Sequence, residues 1–309
     1  MIVAITGANG FIGQHLMRRF AEAGWETRPV VRRDFEMGPA SIDRLFADAN
    51  VVVHAAGATR APTRAGLLES NVALTGVVIN AARKARVGRL VFVSSQAAAG
   101  PADSRERPVT EDSEERPRES YGRSKLAAEA AVRTANGLPF VIVRPAAVYG
   151  PGDRDFLAMF RLSRFGVAVH PGNRDQWISI VHVDDVARSI VLASSASRAI
   201  GGTFFIANDE PVQWRTLFAE AARCASRRLA VDVEIPGAVV RFGAAIGDVA
   251  ARVTGTASLL TSEKVALGEP PYWICSSARA KRDLGLTTSI RLQDGLCETY
   301  HWYFTHHWL

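Results

Sequence analysis

Over the first 145 residues, short β-branched runs alternate with segments whose apolar residues recur every three or four positions. The runs at 2–5, 27–31, 51–54, 89–94 and 140–144 are short and mostly apolar, as strands covered on both faces of a parallel sheet are. Between them Ile12, Leu16 and Phe20 lie four apart on one helix face, and 72–86 and 121–135 carry similar stripes. This βα alternation predicts an α/β fold, a Rossmann-type doubly wound parallel sheet, over residues 1–165. After Gly150-Pro151-Gly152 the alternation gives way to helical patterns at 156–165, 183–194, 214–225 and 239–253. A strand pattern at 203–206 is expected to return to the main sheet with 180–208. The remainder of 166–309 reads as a smaller C-terminal substrate-binding region interleaved with the first domain. The stretch 101–120, dense in charge and proline, reads as a solvated loop.

Composition changes this picture little. The chain has 309 residues, 48% hydrophobic and 22% charged, with a net charge of +6 carried mostly by arginine. Those arginines are scattered and form no basic arm, which argues against a nucleic-acid partner; an anionic cofactor accounts for part of them. Arg241, Asp248 and Arg252 interrupt the apolar run after Pro236, so no membrane span is expected. The N-terminus has neither a basic flank nor a small-residue cleavage site, and a cytoplasmic location is expected. Cys224, Cys275 and Cys297 fit neither a zinc pattern nor a disulfide framework and read as packing residues. His182, Asp184 and Asp185 read as a helix cap and loop anchor, and His301, His306 and His307 as surface residues, so no metal is expected. The apolar spacing of Ile235, Val239, Phe242 and Ile246 suits a lid over a substrate, but ordinary core packing explains it more simply.

Thr6-Gly7-Ala8-Asn9-Gly10-Phe11-Ile12-Gly13 joins the first strand to the first helix. Glycines at that junction allow a tight turn and a close backbone approach to a pyrophosphate at the positive end of a helix. An acidic residue after the second strand would bind the adenosine ribose of NAD; the chain has Val31-Arg32-Arg33 there instead. A guanidinium suits a 2′-phosphate, so NADP is expected as cofactor, with NAD also admitted. Tyr121 and Lys125 stand one helical turn apart on one face. A nearby ammonium would favour the phenolate and bring the phenol toward working pH, making Tyr121 a general acid/base. Ser95 ends an apolar strand at the carboxyl edge of the sheet, where it can orient a substrate oxygen.

The ordered series Gly7, Gly10 and Gly13, His54-Ala55-Ala56-Gly57, Ser94-Ser95, Tyr121 with Lys125, Arg144-Pro145-Ala146-Ala147-Val148-Tyr149-Gly150-Pro151 and His182-Val183-Asp184-Asp185 resembles the extended short-chain dehydrogenase/reductases, the NAD-dependent epimerase/dehydratase family. The resemblance implies Tyr121 as acid/base, Lys125 lowering its pKa and holding the nicotinamide ribose, and Ser95 with Gln96 at the substrate. It implies that Gly7, Asn9, Gly10, Phe11, Ile12, Gly13, Arg32, Arg33, Ala55, Ala56, Gly57, Asn71, Pro145 and Val148 line the cofactor. It also implies a homodimer built on the helix bearing Tyr121. The segment between Arg33 and Val51 is short and lacks the family's aspartate.

Sugar dehydratases of this family place an Asp-Glu pair after the active-site hydroxyl, where this chain has Gln96 and Ala97. The asparagine that contacts a sugar diphosphate is Ala147 here, and the epimerase tyrosine is Ala99. The pattern is more similar to the dihydroflavonol reductase and 3β-hydroxysteroid dehydrogenase branch. It implies an NAD(P)-dependent oxidoreductase interconverting a carbonyl and a secondary alcohol on an apolar small molecule. The alternatives are a nucleotide-sugar epimerase and a non-catalytic cofactor-sensing protein.

Overall fold

The computed structural model describes residues 1–59, 64–254, 265 and 268–309. In chain order its first half comprises β1 (Ile2–Thr6), α1 (Phe11–Glu22), β2 (Glu26–Val30), α2 (Arg32–Glu36), α3 (Pro39–Phe46), β3 (Val51–His54), α4 (Arg64–Lys84), β4 (Arg89–Val93), α5 (Ser120–Arg133) and β5 (Phe140–Pro145). There follow β6 (Ala147–Tyr149), α6 (Leu157–Ser163), β7 (Val167–Pro171), β8 (Trp177–Ile178), β9 (Ile180–His182), α7 (Val183–Ser195), β10 (Thr203–Ile206), β11 (Val212–Gln213) and α8 (Trp214–Cys224). The last elements are β12 (Val231–Ile235), α9 (Gly237–Thr254), β13 (Tyr272–Trp273), α10 (Ala278–Leu284) and α11 (Leu292–Thr305).

Six parallel strands form the main sheet in the order β10-β5-β4-β3-β1-β2. Their side chains alternate between two cores, as the period of two requires. Val3, Ile5, Val53, Val91 and Val143 join Leu16 and Phe20 of α1 and Val186 and Ile190 of α7. Ala4, Val52, Leu90, Phe92 and Ile142 join Ile42 and Phe46 of α3, Val78 and Ala82 of α4, and Ala128 and Val132 of α5. Each fully buried valine or leucine contributes about 1.5–3 kcal/mol. By length and composition α4 could cross a membrane, but its Val78, Ile79, Ala81 and Ala82 are buried in this second core. Strand order reverses between β1 and β3, and that switch point opens the crevice beyond the carboxyl ends where ligands bind in doubly wound sheets.

A third core gathers Tyr149, Phe156, Phe160, Ile180, Leu217, Phe218, Leu296 and Tyr303 under α6, α8 and α11. Small sheets frame it: β11-β8-β13, β12-β7 and β6-β9. Here two expectations fail. Cys224 of α8 and Cys297 of α11 are joined by a disulfide across 73 residues of chain; their separation in sequence hid a pairing that only the packing of the two helices creates. Cys275 alone is a buried packing thiol, and burial pushes it up to about 12. On α9, Val239, Phe242 and Ile246 stand in solvent, and Val240 and Ala244 take the buried face, so core packing does not explain the exposed triplet.

The 101–120 stretch is the largely exposed loop expected, but it is pinned at several points along its length. The Ala102 amide donates to the Tyr272 carbonyl, the Val109 amide to the Ile274 carbonyl and the Arg116 amide to the Ala99 carbonyl. The Glu111 carboxylate accepts from the Phe205 amide at 2.9 Å. The strap thus joins the main sheet to the C-terminal region, through partners too remote in sequence for local composition to reveal.

Candidate functional site

The phosphate-binding turn is built by three glycines in different ways. Gly7 has φ +72°, and a Cβ there would lie 2.8 Å from the Ala56 amide nitrogen. The Gly10 amide donates to the Gly7 carbonyl at 2.8 Å, and Gly10 precedes α1 in an extended conformation. A Cβ on Gly13 would come within 2.0 Å of the Gly7 carbonyl oxygen. The first turn of α1 can therefore approach β1 and β3 only with glycine at position 13. Phe11 and Ile12 open the helix half-buried, and Asn9 is exposed at the turn.

Beside this turn β2 ends at Val30, one residue earlier than its apolar run suggests. The Asp34 carboxylate accepts from the Val31 amide at 2.7 Å and starts α2, so Arg32 and Arg33 open a helix. Gly7, Asn9, Gly10, Val31, Arg32 and Arg33 line one cavity of about 450 Å³. Both arginines are exposed and neither forms a salt bridge among the described residues. A glycine cradle that a single methyl would fill, facing two free guanidinium groups, fits the pyrophosphate and adenosine end of a dinucleotide.

From this turn a buried chain of hydrogen bonds runs to the helix of Tyr121. The Thr6 hydroxyl meets His54 Nδ1 at 2.7 Å, and His54 Nε2 meets the Thr75 hydroxyl at 3.1 Å. Thr75 donates to the Asn71 carbonyl at 2.8 Å; Asn71 Nδ2 donates to the Ser124 hydroxyl at 2.9 Å, and Ser124 donates to the Tyr121 carbonyl at 2.7 Å. Asn71 also exchanges two hydrogen bonds with the backbone of Ala58, fixing the segment after Ala55, Ala56 and Gly57. Burial, reinforced by the Lys125 charge, lowers His54 to about 3, so the ring stays neutral. Of this chain, sequence reasoning reached Asn71 and the strand end at His54 but missed Thr6, Thr75 and Ser124. Their hydroxyls signal nothing until the fold aligns them.

Tyr121 and Lys125 lie on α5, whose first turn is capped by Glu119: its carboxylate accepts from the Tyr121 amide at 2.5 Å and the Gly122 amide at 2.6 Å. Lys125 is buried and donates to the Val93 carbonyl at 2.6 Å, with its ammonium 4.6 Å over the Phe92 ring. A Cβ on Gly57 would lie 3.6 Å from the Lys125 ammonium and 3.3 Å from Asn71 Oδ1, so Gly57, Asn71 and Lys125 meet at one point. Burial lowers Lys125 to about 8, opposed by the Glu129 carboxylate.

The expected lowering of Tyr121 by the lysine does not occur. Burial and then Glu119 raise the phenol above its ordinary value, and only a hydrogen bond with Ser95 pulls the other way. The ammonium is turned to the Val93 carbonyl, so it does not stabilise a phenolate.

Ser95 precedes the short helical turn Gln96–Ala98, and its hydroxyl accepts from the Ala97 amide at 3.2 Å. Gln96 is buried, and its amide nitrogen has no partner among the described residues. Pro145 ends β5 at the same carboxyl edge, and Val148, half-buried, follows in β6. Ala147 is exposed.

His182, Asp184 and Asp185 have structural partners. His182 Nδ1 accepts from the Asp184 amide at 3.3 Å. The Asp184 carboxylate pairs with Arg19 at 2.7 Å and His15 at 3.0 Å, joining α7 to α1. Asp185 accepts from the Ser289 and Ile290 amides at 3.2 Å and so anchors the entry to α11.

The glycine cradle, the free arginines and the Ser95, Tyr121 and Lys125 cluster along one sheet edge define an α/β enzyme of the nicotinamide-dinucleotide class. The chain belongs to the NAD-dependent epimerase/dehydratase family, whose model matches residues 3–207. It is 30% identical to a ceramide reductase of Caulobacter vibrioides, covering 100% of this chain and 96% of that one. It is 27% identical to a 2-alkyl-3-oxoalkanoate reductase of Stenotrophomonas maltophilia, covering 96% and 97%. Among solved structures, the UDP-glucose 4-epimerase of Thermotoga maritima with UDP-glucose superposes with a TM-score of 0.80 at 20% identity, over 99% of this chain and 100% of that one.

Proposed function

We propose that this protein is an NADPH-dependent reductase of a ketone carried on an alkyl-chain, largely apolar substrate. Its class, an NAD(P)-dependent oxidoreductase of the extended short-chain type, follows from the family and the named reductases similar to it. The observation that carries the reaction is Ser95 at the carboxyl edge of the sheet, where no carboxylate follows the serine, with Tyr121 and the buried Lys125 on one face of α5; burial holds the Tyr121 phenol above its ordinary value. A neutral phenol is a proton donor, which is the role reduction of a carbonyl requires. In this reading Ser95 orients the substrate oxygen, Tyr121 delivers the proton to it, and Lys125 holds the cofactor ribose. Gly7, Asn9, Gly10, Phe11, Ile12 and Gly13 would hold the pyrophosphate, Arg32 and Arg33 the 2′-phosphate, and Ala55, Ala56, Gly57, Asn71, Pro145 and Val148 the nicotinamide half. When bound, the nicotinamide supplies the hydride.

The substrate class rests on the two reductases named for a ceramide and for a 2-alkyl-3-oxoalkanoate, both alkyl-bearing molecules, and on Ala147 and Ala99 in place of groups that would handle a sugar. The reading includes the cytoplasmic location and a homodimer through α4 and α5, for which the exposed Leu68 and Val77 of α4 supply apolar contact. A panel of alkyl ketones and UDP-sugars, followed by NADPH and NADH absorbance, tests it. Oxidation of NADPH by alkyl ketones, reduced about 10²–10⁴-fold in Tyr121→Phe, is expected. Interconversion of a UDP-sugar with no net absorbance change would make the protein an epimerase instead.

A further inference from the structure

Away from the site, β7 and β12 pair as an isolated parallel ribbon with Val167 beside Val231 and Val169 beside Val233. Strand alternation puts these four valines on one face. The opposite face carries Ala168 and His170, both buried, and Asp232, which lies 3.0 Å from His170. β12 is exposed on both faces: Val231 and Val233 stand in solvent on one, while Asp232 and Glu234 on the other are held by His170 and Arg174. Phe165, at the start of the ribbon, is 68% exposed, with the Arg164 guanidinium 4.5 Å over its ring. The Gly166 carbonyl accepts from the Ala230 and Val231 amides, and a Cβ on Gly166 would lie 2.6 Å from the Arg228 carbonyl oxygen, so the Arg227-Arg228 segment runs beside the residue that follows Phe165. Past the other end, Val239, Phe242 and Ile246 form one exposed face of α9, with Phe242 at 71%. Arg241 is the only charged residue from position 237 to 247.

We propose that this face docks on an anionic phospholipid bilayer. Large apolar side chains interspersed with arginine are the composition of interfacial segments, which place rings and aliphatic groups among acyl chains and guanidinium groups among phosphates. Arg164, Arg227, Arg228 and Arg241 form no salt bridge among the described residues, so their charge is free for such phosphates. A second copy of the chain fits worse: a two-fold interface sets a patch against itself and would oppose arginine to arginine. The docking would also give an apolar substrate of the proposed class a membrane source, and in that clause alone it rests on the reading above.

Sedimentation of the full chain with phosphatidylcholine vesicles containing about one-third phosphatidylglycerol tests the assignment. Wild type is expected to bind these vesicles and not pure phosphatidylcholine, and to release as salt rises from about 0.1 to about 0.5 M. Phe242→Asp and, independently, Phe165→Ser are expected to weaken binding about tenfold or more, because each takes an aromatic ring from the acyl layer. Turnover of a water-soluble ketone, and thermal melting, should be unchanged in both variants, which shows that they fold. No binding to anionic vesicles, or equal binding by wild type and both folded variants, overturns the assignment. So does a dimer by light scattering that Phe242→Asp converts to monomer while wild type ignores vesicles. Vesicle binding without any ketone turnover leaves the docking standing and defeats the reductase reading.

Discussion

Glu129 and Arg144 meet as a two-pronged pair, with Arg144 Nε donating to Oε1 at 2.9 Å and Nη2 to Oε2 at 2.6 Å, and both residues are buried. The same carboxylate accepts from the Ser94 hydroxyl and from Arg133, so α5, β4 and β5 are tied together one turn beyond Lys125. Removing one partner of a buried pair costs about 3–5 kcal/mol, and with Glu129 gone the buried Arg144 keeps only the partly exposed Glu115. Glu129→Ala is expected to lose stability of that order in urea unfolding. The double substitution Glu129→Leu with Arg144→Met should lose clearly less. An equal loss in both would show that the carboxylate's partners, not the arginine left behind, set the cost.

Two buried bases give opposite pH limbs. Lys125, at about 8 in the folded protein, is an ammonium below that pH and neutral above it. The profile of kcat/KM is therefore expected to fall as pH rises through about 8, because the cation that would hold the cofactor ribose is lost. Lys125→Arg, slower throughout, keeps its charge over this range and should lack the limb. For stability the sign comes from His54, whose folded value near 3 lies below its ordinary 6.5. Below pH 6.5 the unfolded chain takes up a proton that the folded chain refuses, so stability falls toward pH 3 by about 1.4 kcal/mol per pH unit. His54→Asn should remove that contribution, measured by urea midpoints across the range.

Arg32 and Arg33 line the same cavity as Gly7 and Gly10 with no salt bridge of their own among the described residues. A charge-assisted hydrogen bond to a phosphate contributes about 1.5–3 kcal/mol, so Arg32→Asp should weaken NADPH binding about 10–100-fold and leave NADH nearly as it was. Titration by cofactor fluorescence checks this. Equal losses for both cofactors would show that the arginines do not read the 2′-phosphate.

The strands were readable because valine runs such as Val51-Val52-Val53 have no competing period, and the glycine turn because its three glycines sit between a strand and a helix. Tyr121, Lys125 and Ser95 were legible as a spacing and a strand end. Their electrostatics were not, since the direction of the Lys125 ammonium depends on the Val93 carbonyl of another strand. Glu129 looks in sequence like any solvated helix charge; its burial is decided by Arg144 and Ser94 from separate segments. The 101–120 stretch is legible as an exposed loop, but its anchoring is not, because its hydrogen-bond partners Tyr272 and Ile274 lie far downstream.

Gly13 and Gly24 separate crowding from backbone strain. Gly24 has φ +78° with open space around it, whereas Gly13 is helical and a Cβ would strike the Gly7 carbonyl at 2.0 Å. Gly24→Ala carries only the dihedral penalty, about 1 kcal/mol. Gly13→Ala must shift α1 away from β1, and it is expected both to destabilise by more than Gly24→Ala and to weaken either dinucleotide. Equal melting of the two variants would show that the turn yields.

The Cys224–Cys297 bond joins α8 to α11 over a separation of 73 residues, a loop whose closure in the unfolded chain corresponds to about 4 kcal/mol by chain entropy. Both helices also pack through the third core, with Leu217, Phe218, Leu296 and Tyr303 buried between them, so the fold should survive reduction with lowered stability. Dithiothreitol is expected to lower the urea midpoint of wild type and to leave Cys224→Ser, already lowered, where it is. Reducing compartments keep such pairs as dithiols, so in the proposed cytoplasmic setting the protein would work near the lower of the two stabilities. A wild-type midpoint indifferent to reductant would mean that packing alone holds α8 to α11 and that the unfolded chain is no freer without the bond.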